Sequence, residues 1–224
     1  MITYKINIIR HAITQGNLDG RFVGTTDMPI CDQGRYEIEQ LTKKYKYPEV
    51  EKVYTSSMLR CKQTADIIYP DNEKREISDL RECCFGVFEN KTAQQLESDP
   101  RFIEWTKNLM SFTPEGGEDM AEFAQRIERG FEFVILDMMK NKIKESVIIT
   151  HGGVIMALLG KFGIPKRDPA MWLVENGRGY TLVTSAQLWS RDKIVEVYNN
   201  LPFGEKEPTG VKGYEFFNVT DIAE

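Results

Sequence analysis

The chain has 224 residues, of which 41% are hydrophobic and 28% are charged, and its formal net charge is −5. This length suffices for one substantial core, so we expect a single domain over residues 1–224. The acidic balance argues against a nucleic-acid-binding surface, which is normally basic, and no apolar run reaches the roughly 18 residues that a membrane span needs.

Two further features predict the compartment. The first apolar run contains Lys5 and Arg10, which do not fit the pattern of a signal peptide. The four cysteines show no metal-ligand spacing, and two of them, Cys83 and Cys84, are adjacent, which suits reduced thiols better than a disulfide framework. We therefore expect a cytoplasmic protein.

Short apolar runs that alternate with helical patterns make up most of the chain. The runs predict strands at residues 6–9, 50–56, 76–80, 147–150, 180–188 and 194–198. Helices are predicted at residues 32–45, 57–69, 119–140 and 152–161, the first three capped by Asp32, by Ser56 or Ser57, and by Asp119. The alternation predicts an α/β fold, namely a three-layer α/β/α sandwich with a mainly parallel, mixed sheet.

Residues 81–117 depart from this alternation. They predict a small helical excursion, interrupted by one glycine and two prolines, which is a candidate cap or lid. Its aromatic side chains, Phe102, Trp105 and Phe112, could stack on the ring of a ligand or could equally be core, and the same choice applies to Trp172.

The C-terminal part gives a weaker pattern. A turn at Arg191-Asp192 would join the last two predicted strands as an edge hairpin. Little can be assigned in residues 202–224, although three aromatic residues within 214–217 favour a segment that packs back on the domain.

Both histidines of the chain directly follow predicted strands. His11 comes after the first strand, with Arg10 beside it, and His151 comes after the fourth strand and precedes two glycines. In an open α/β sheet, ligands bind at the carboxyl ends of the strands. An Arg there can bind an anion, and a His can act as nucleophile or proton carrier. Either His could instead be a hydrogen-bonded structural residue, so the pattern alone leaves both interpretations open.

Arg60 and Glu82 lie close to two further strand ends. Arg60 falls in the first turn of a predicted helix, where a cation opposes the helix dipole unless an anion binds there too. Glu82 follows the third predicted strand and could be a general acid if burial raised its pKa. Taken singly, Arg60 could be a surface cation and Glu82 a solvated carboxylate. Together with Arg10 and the two histidines, they predict a pocket for a dianionic phosphoryl group.

The motifs and their order carry a family resemblance. Residues 10–17 fit an Arg-His-Gly-x-Thr-x-x-Asn signature, residues 56–65 a Ser-x-x-x-Arg-x-x-Gln-Thr-Ala segment, residues 80–86 a Leu-x-Glu-x-x-Phe-Gly segment and residues 150–153 a Thr-His-Gly-Gly segment. The first signature continues in register through Arg21, Gly24, Asp27, Pro29 and Gly34. From Ile6 to about Gly153 the chain therefore resembles the histidine phosphatase superfamily, in its phosphoglycerate mutase-like branch, and the resemblance implies that fold.

The resemblance also implies roles for the site residues. His11 would become phosphorylated, and Arg10, Arg60 and His151 would bind the phosphoryl oxygens. Glu82 would protonate the leaving oxygen and then deprotonate the attacking water. His11 must be neutral to attack, whereas a protonated His151 would stabilise the transition state. Neither a metal nor another cofactor is implied. The other residues expected to bind phosphate are Asn17, Gly24 and Gly152.

Departures from the family pattern bear on the reaction. Ala12 stands where the family has Gly, which requires a negative φ at this residue. The mutases resemble Leu-x-Glu-Arg-x-Tyr-Gly at the acid segment and His-Gly-Asn at the second histidine, and this chain has neither motif. These differences favour a phosphatase of the α-ribazole phosphatase or broad-specificity type. Residues 115–118 look like a Gly-rich loop of those phosphatases, which we expect to border the pocket mouth.

The predicted function is thus metal-independent hydrolysis of a small phosphorylated metabolite. A cofactor-dependent phosphoglycerate mutase is the first alternative, since Lys91, Arg101 and Lys107 could hold a second acidic group. An inactive module that binds phospho-ligands is the second, although no residue of the motifs is missing. A cysteine-dependent phosphatase is excluded because no Cys is followed six residues later by Arg. The oligomeric state stays open, with a homodimer among the options.

Overall fold

The computed structural model describes residues 2–108 and 111–204. The strands are β1 (Thr3–Arg10), β2 (Lys52–Thr55), β3 (Lys74–Glu76), β4 (Glu145–Thr150), β5 (Gly163–Ile164), β6 (Gly179–Ser185) and β7 (Val195–Leu201). The helices are α1 (Gln15–Leu18), α2 (Asp32–Lys44), α3 (Leu59–Ile68), α4 (Ala93–Leu96), α5 (Pro100–Lys107), α6 (Met120–Asn141), α7 (Gly152–Phe162) and α8 (Ala186–Asp192). Single 3₁₀ turns occur at Ser78–Leu80, Gly86–Phe88 and Pro169–Trp172.

The strands form one mixed sheet in the order β3-β2-β4-β1-β6-β7-β5. β1 runs parallel to β4, with Arg10 opposite Thr150, and antiparallel to β6. β2 runs parallel to both β3 and β4. The carboxyl ends of β1, β2 and β4 therefore meet at one edge of the sheet, where the sequence predicted a site.

Helices cover both faces of the sheet. Ile6 and Ile8 of β1 pack in a large cluster with apolar side chains of α6 and α7. Ile9 points to the other face and packs with Cys61 and Ala65 of α3. Successive residues of β1 thus go to opposite faces, and both faces are buried. The predicted three-layer α/β/α sandwich is confirmed.

The long helix α6 forms as its apolar period predicts. The side chain of Asp119 caps it by accepting hydrogen bonds from the N–H groups of Ala121 and Glu122 at 2.8 and 3.2 Å. Its buried stripe runs from Phe123 to Met138 and packs in the large cluster. One charged residue, Arg126, lies on this buried stripe.

Two other caps differ from the prediction. Asp32 lies inside α2, and the Sγ of Cys31 caps that helix by accepting from the N–H of Gly34 at 3.4 Å. Neither Ser56 nor Ser57 caps α3; Asp27 accepts from the N–H of its first residue at 2.8 Å. A side chain from a separate loop thus does what a local serine was expected to do.

The third predicted strand, at residues 76–80, lies further along the chain than the observed β3. The last three of those residues, Ser78–Leu80, form a 3₁₀ turn. Ile77 and Leu80 produced the strand pattern, and both are buried in the large cluster at a spacing that fits this turn.

The connection between β6 and β7 also differs. Both strands exist and are antiparallel neighbours, but the expected turn at Arg191-Asp192 is the last part of α8. Ser185 ends β6 and caps α8 by accepting from the N–H of Leu188 at 3.2 Å. Trp189 is buried against aromatic rings of α6 and α7, which is why the chain turns into a helix here. The pair is not at the edge of the sheet, because β5 follows β7.

The excursion at residues 81–117 has an apolar cluster of its own. Phe102 and Trp105 are buried there with Phe22 from the first loop, and Phe112 packs against them. Trp172 is buried in the large cluster. Phe102, Trp105 and Trp172 are therefore core, and for these three the alternative of a stacking surface for a ligand ring is wrong.

Residues 214–217, for which we expected packing on the domain, lie outside the described residues. Across residues 2–108 and 111–204, no helix has the length and apolar character that crossing a membrane requires. The four cysteines are free thiols.

Candidate active site

The two histidines are neighbours at the carboxyl edge of the sheet. Each is the residue that follows a central parallel strand, and the register of β1 and β4 sets them side by side. Their ring centroids are 5.2 Å apart, with an angle of 63° between the ring planes. His11 is 5% exposed and His151 is fully buried.

Hydrogen bonding fixes the tautomer of His11. Its Nδ1 lies 2.7 Å from the carbonyl oxygen of Ala12. Since a carbonyl oxygen can only accept, Nδ1 carries the proton and Nε2 keeps its lone pair. Burial lowers the pKa of His11 well below 6.5, and the charges of Arg60 and Arg10 lower it further. His11 is therefore neutral near neutral pH and has a free lone pair.

Main-chain contacts hold the loop that carries His11. The N–H of Ala12 donates to Oγ1 of Thr64 at 2.9 Å, and Nδ2 of Asn176 donates to the carbonyl oxygen of His11 at 2.8 Å. Ala12 does not have a positive φ, as an Ala at this position requires. The loop that carries His11 is thus fixed from two separate parts of the chain.

Arg60 is fully buried, so the interpretation as a surface cation is wrong. Its Nη2 donates to the carbonyl oxygen of Gly24 at 2.8 Å and its Nη1 to that of Thr26 at 3.0 Å. Among the described residues, no carboxylate pairs with Arg60 and no group accepts from its buried Nε. A buried guanidinium without an anion is unfavourable, so this geometry favours binding of an anion.

Arg10 lies over the start of α7. Its Nη1 donates to the carbonyl oxygen of Val174 at 2.8 Å, and a Cβ at Gly152 would lie 3.4 Å from its Nε. Gly152 is the first residue of α7, whose leading N–H groups are not used within the helix. A guanidinium beside a helix N-terminus is a favourable site for phosphate.

His151 is surrounded by groups that disfavour its protonated form. Its Nε2 lies 2.8 Å from Oγ of Ser56 and 3.5 Å from Sγ of Cys61. Burial lowers the pKa of His151 well below 6.5, and the charge of Arg60 is the next largest cause. These surroundings keep His151 neutral near neutral pH, so the protonated form expected in the transition state requires the negative charge of a bound phosphoryl group.

Glu82 lies against the start of α7. Its Oε2 accepts from the N–H of Gly153 at 3.0 Å, and its Oε1 accepts from the N–H of Cys83 at 3.1 Å. Burial raises the pKa of Glu82 above 4.5, although these N–H groups and the nearby Arg60 and Arg10 oppose the shift. A Cβ at Gly153 would lie only 2.4 Å from Oε1 of Glu82, so the carboxyl group occupies this place because residue 153 has no side chain.

Glu89 is part of the site although no motif in the chain pointed to it. Its carboxylate accepts from the N–H groups of Gly24, Thr25 and Thr26 at 2.9 to 3.2 Å and from the N–H of Phe85 at 3.0 Å. It therefore holds the loop whose carbonyl oxygens bind Arg60.

Gly24 has a different role from the one expected. Its N–H is bonded to Glu89 and its carbonyl oxygen to Arg60, so neither group is left for a phosphate. A Cβ at this residue would lie 1.9 Å from the carbonyl oxygen of Cys83. Gly24 therefore supports Arg60, and its expected place among the phosphate-binding residues stays a prediction.

Asn17 lies in α1, the helical turn that follows the loop carrying His11. Its Oδ1 accepts from the N–H and the hydroxyl of Thr14, both at 3.0 Å, in a capping box. The amide NH₂ is then the part of the side chain that could bind a phosphoryl oxygen.

Five of the predicted residues, His11, His151, Arg10, Arg60 and Glu82, thus lie close together at the sheet edge. Three supporting residues were missed, namely Glu89, Arg126 and Asn176. Arg126 gave a signal, since it is charged and lies within the apolar stripe of α6. The other two contact main-chain groups of distant segments, which no local pattern shows.

Comparison with known proteins decides the family. The family model described as "Histidine phosphatase superfamily (branch 1)" matches residues 6–200 of this chain. The chain belongs to the histidine phosphatase superfamily. Members of this superfamily that resemble it include phosphatases and proteins named as mutases, so the protein is a phosphatase or mutase in the broad sense.

Two curated relatives show this range. An "Adenosylcobalamin/alpha-ribazole phosphatase" of Escherichia coli (strain K12) is 26% identical over 173 residues, which are 75% of this chain and 83% of the relative. A "Probable phosphoglycerate mutase GpmB" of Proteus mirabilis (strain HI4320) is 27% identical over 168 residues, covering 72% and 76% of the two chains.

Solved structures agree with the fold. The alpha-ribazole phosphatase of Shigella flexneri superposes with a TM-score of 0.71 at 22% identity, over 87% of this chain and 94% of that one. The protein TTHB049 of Thermus thermophilus superposes with a TM-score of 0.63 at 28% identity, over 89% and 99%.

Proposed function

We propose that this histidine phosphatase is a phosphomonoester hydrolase that acts through a phosphohistidine at His11 on a small phosphorylated metabolite. The observation that carries the proposal is the neutral His11, whose Nε2 lone pair is free, beside the buried Arg60 that has no carboxylate partner among the described residues. The first group can attack a phosphorus atom, and the second requires an anion next to it.

In the first step, Arg10, Arg60, His151 and the start of α7 would bind the phosphoryl oxygens and neutralise their charge. Nε2 of His11 attacks phosphorus in line, so that an N–P bond forms and the P–O ester bond breaks. Protonated Glu82 donates its proton to the leaving oxygen, and its raised pKa supports this role.

In the second step, the Glu82 carboxylate takes a proton from water, and the water oxygen attacks phosphorus. The N–P bond breaks, inorganic phosphate is released, and Glu82 is protonated again. The covalent intermediate divides one difficult displacement into two easier ones. The same carboxyl group acts as acid and then as base, and the N–H groups of Gly153 and Cys83 hold it at the start of α7.

Two observations support hydrolysis over mutase activity. Two of the three cations proposed to hold a second acidic group are engaged elsewhere: Lys91 donates to the carbonyl oxygen of Val87, and Arg101 pairs with Asp99 and Glu115. In addition, residue 153 is Asn in the mutase motif, whereas here a side chain at this residue would displace Glu82.

The experiment is hydrolysis of p-nitrophenyl phosphate in the presence of EDTA. We expect turnover that His11→Ala abolishes, whereas Tyr198→Ala, a change at an exposed residue of β7, keeps it. Activity that is lost in chelator would contradict the metal-free mechanism.

Two further outcomes would redirect the proposal. Rapid interconversion of 2- and 3-phosphoglycerate that requires 2,3-bisphosphoglycerate, with little hydrolysis, would identify a mutase. Binding of phosphate without turnover of any ester would identify an inactive module. α-Ribazole 5′-phosphate belongs in the substrate screen because one curated relative and one solved structure are named as alpha-ribazole phosphatases.

A further inference from the structure

Helix α6 packs directly on the segment that leads to Glu82. At Gly130, a Cβ would lie 3.0 Å from Cβ of Asp79 and 3.1 Å from Cδ2 of Leu80. The helix therefore touches the 3₁₀ turn that ends two residues before Glu82. Arg126 is four residues before Gly130, so it lies on the same face of α6.

The guanidinium of Arg126 is used on the main chain of that segment. Its Nη1 donates to the carbonyl oxygen of Asp79 at 2.8 Å and to that of Arg81 at 3.0 Å. Its Nη2 donates to the carbonyl oxygen of Glu82 at 3.3 Å. One side chain thus holds three carbonyl groups within four consecutive residues.

Glu118 fixes the guanidinium from the other side. Its two oxygens accept from Nε and Nη2 of Arg126, each at 2.7 Å, and the side chains are only 10% and 17% exposed. The N–H of Glu118 donates to the carbonyl oxygen of Cys84 at 2.9 Å, and its Oε2 accepts from the N–H of Cys84 at 3.4 Å. The pair therefore holds the chain both before and after Glu82.

We propose that the Arg126–Glu118 pair is a positioning device for Glu82 and sets where its carboxyl group meets the leaving oxygen. The inference rests on the proposed phosphohistidine mechanism. These hydrogen bonds fix the main chain on both sides of Glu82, so its side chain can reach the N–H of Gly153. A lysine at residue 126 keeps the charge but cannot form the planar fork that holds several groups at once.

The test uses two substrates that differ in their need for an acid. The leaving group of 2,4-dinitrophenyl phosphate departs without a proton, whereas that of a simple alkyl phosphate requires one. In Arg126→Lys we expect kcat/KM for the alkyl ester to fall about tenfold or more, because a misplaced Glu82 loses part of the rate acceleration that a general acid provides. For the dinitrophenyl ester we expect a fall of less than about threefold, because its leaving group does not use the acid.

Glu118→Gln is the companion variant, because it keeps Arg126 and its carbonyl contacts but weakens the fork. We expect kcat/KM for the alkyl ester to fall less than in Arg126→Lys, and again to fall more than kcat/KM for the dinitrophenyl ester. Circular dichroism and the melting temperature show whether each variant is folded. If Arg126→Lys does not fold, the selectivity in Glu118→Gln decides the matter.

Glu82→Gln separates this inference from the proposed function. Suppose that Glu82→Gln lowers kcat/KM selectively for the alkyl ester. If the Arg126 and Glu118 variants then lower kcat/KM equally for both esters, or do not lower it at all, the positioning role is wrong. If Glu82→Gln itself shows no selectivity, the general acid role is wrong and the inference is overturned with it.

Discussion

The contact between Gly153 and Glu82 makes Gly153→Ala an informative change. The added Cβ would lie 2.4 Å from Oε1 of Glu82 and 3.0 Å from its Cδ, whereas ordinary contacts begin near 3.4 Å. The carboxyl group must therefore retreat by about 1 Å, and a misplacement of that size in a catalytic group can reduce the rate about 100-fold. A loss of about 100-fold corresponds to about 2.7 kcal/mol in transition-state stabilisation.

The fold should tolerate the same change. Residue 153 is in the first turn of α7, where Ala is favoured over Gly by up to about 1 kcal/mol. Loss of the hydrogen bond to Glu82 would remove about 1 kcal/mol. Because these terms nearly cancel, we expect the melting temperature to change by no more than about 2–4 °C.

The assay is kcat/KM on an alkyl phosphate, with the melting temperature measured on the same preparations. Gly152→Ala is the matched comparison, since its Cβ meets Arg10 at 3.4 Å and does not meet Glu82. We expect that variant to alter KM and phosphate inhibition instead of the dependence on the leaving group. A Gly153→Ala enzyme that keeps kcat/KM within about threefold of the wild type would refute the reasoning about Glu82.

Three other predictions follow from the charges of the site. Because the pKa of His11 is lowered, protonation of His11 should not yet reduce kcat/KM at pH 6.5. Because the acid form of Glu82 is required and its pKa is raised, kcat/KM should fall as the pH rises through that pKa, and Glu82→Gln should remove this alkaline limb from the pH profile. Glu89→Gln should loosen Arg60 and raise KM and the inhibition constant of phosphate about tenfold. The ratio of kcat/KM between the alkyl phosphate and 2,4-dinitrophenyl phosphate should not change. Inorganic phosphate at about 100 times its Kd should stabilise the fold by about 2.7 kcal/mol in a thermal shift assay, and Arg60→Met should abolish this shift.

The central part of the site could be predicted from the sequence. His11 and His151 each follow a buried strand, and parallel strands deliver their carboxyl ends to one edge. The order of the strands could not be read from the sequence, and that order makes the two rings neighbours. Arg60 gave a signal through its place at a helix start, but its burial depends on carbonyl groups of a loop far away in the sequence.

The errors also have physical causes. The strand predicted after Gly179 continued to Leu188, but Ser185 caps a helix there, and the ring of Trp189 packs on aromatic rings of α6 and α7. Glu89 could not be found because its partners are main-chain N–H groups, which every residue except proline has. Arg126 could have been found, since a cation on an apolar stripe requires partners in the core.

The central claim is that phosphorus passes through His11. Rapid mixing of the enzyme with an excess of 2,4-dinitrophenyl phosphate, whose leaving group departs without a proton, followed by an alkaline quench and mass spectrometry of the peptides, tests it most directly. The mechanism predicts a phosphate on His11 that is lost in acid, is absent from His11→Ala and accumulates in Glu82→Gln. Turnover without any phosphorylated His11, or a phosphate on a serine or a cysteine in its place, would contradict the mechanism.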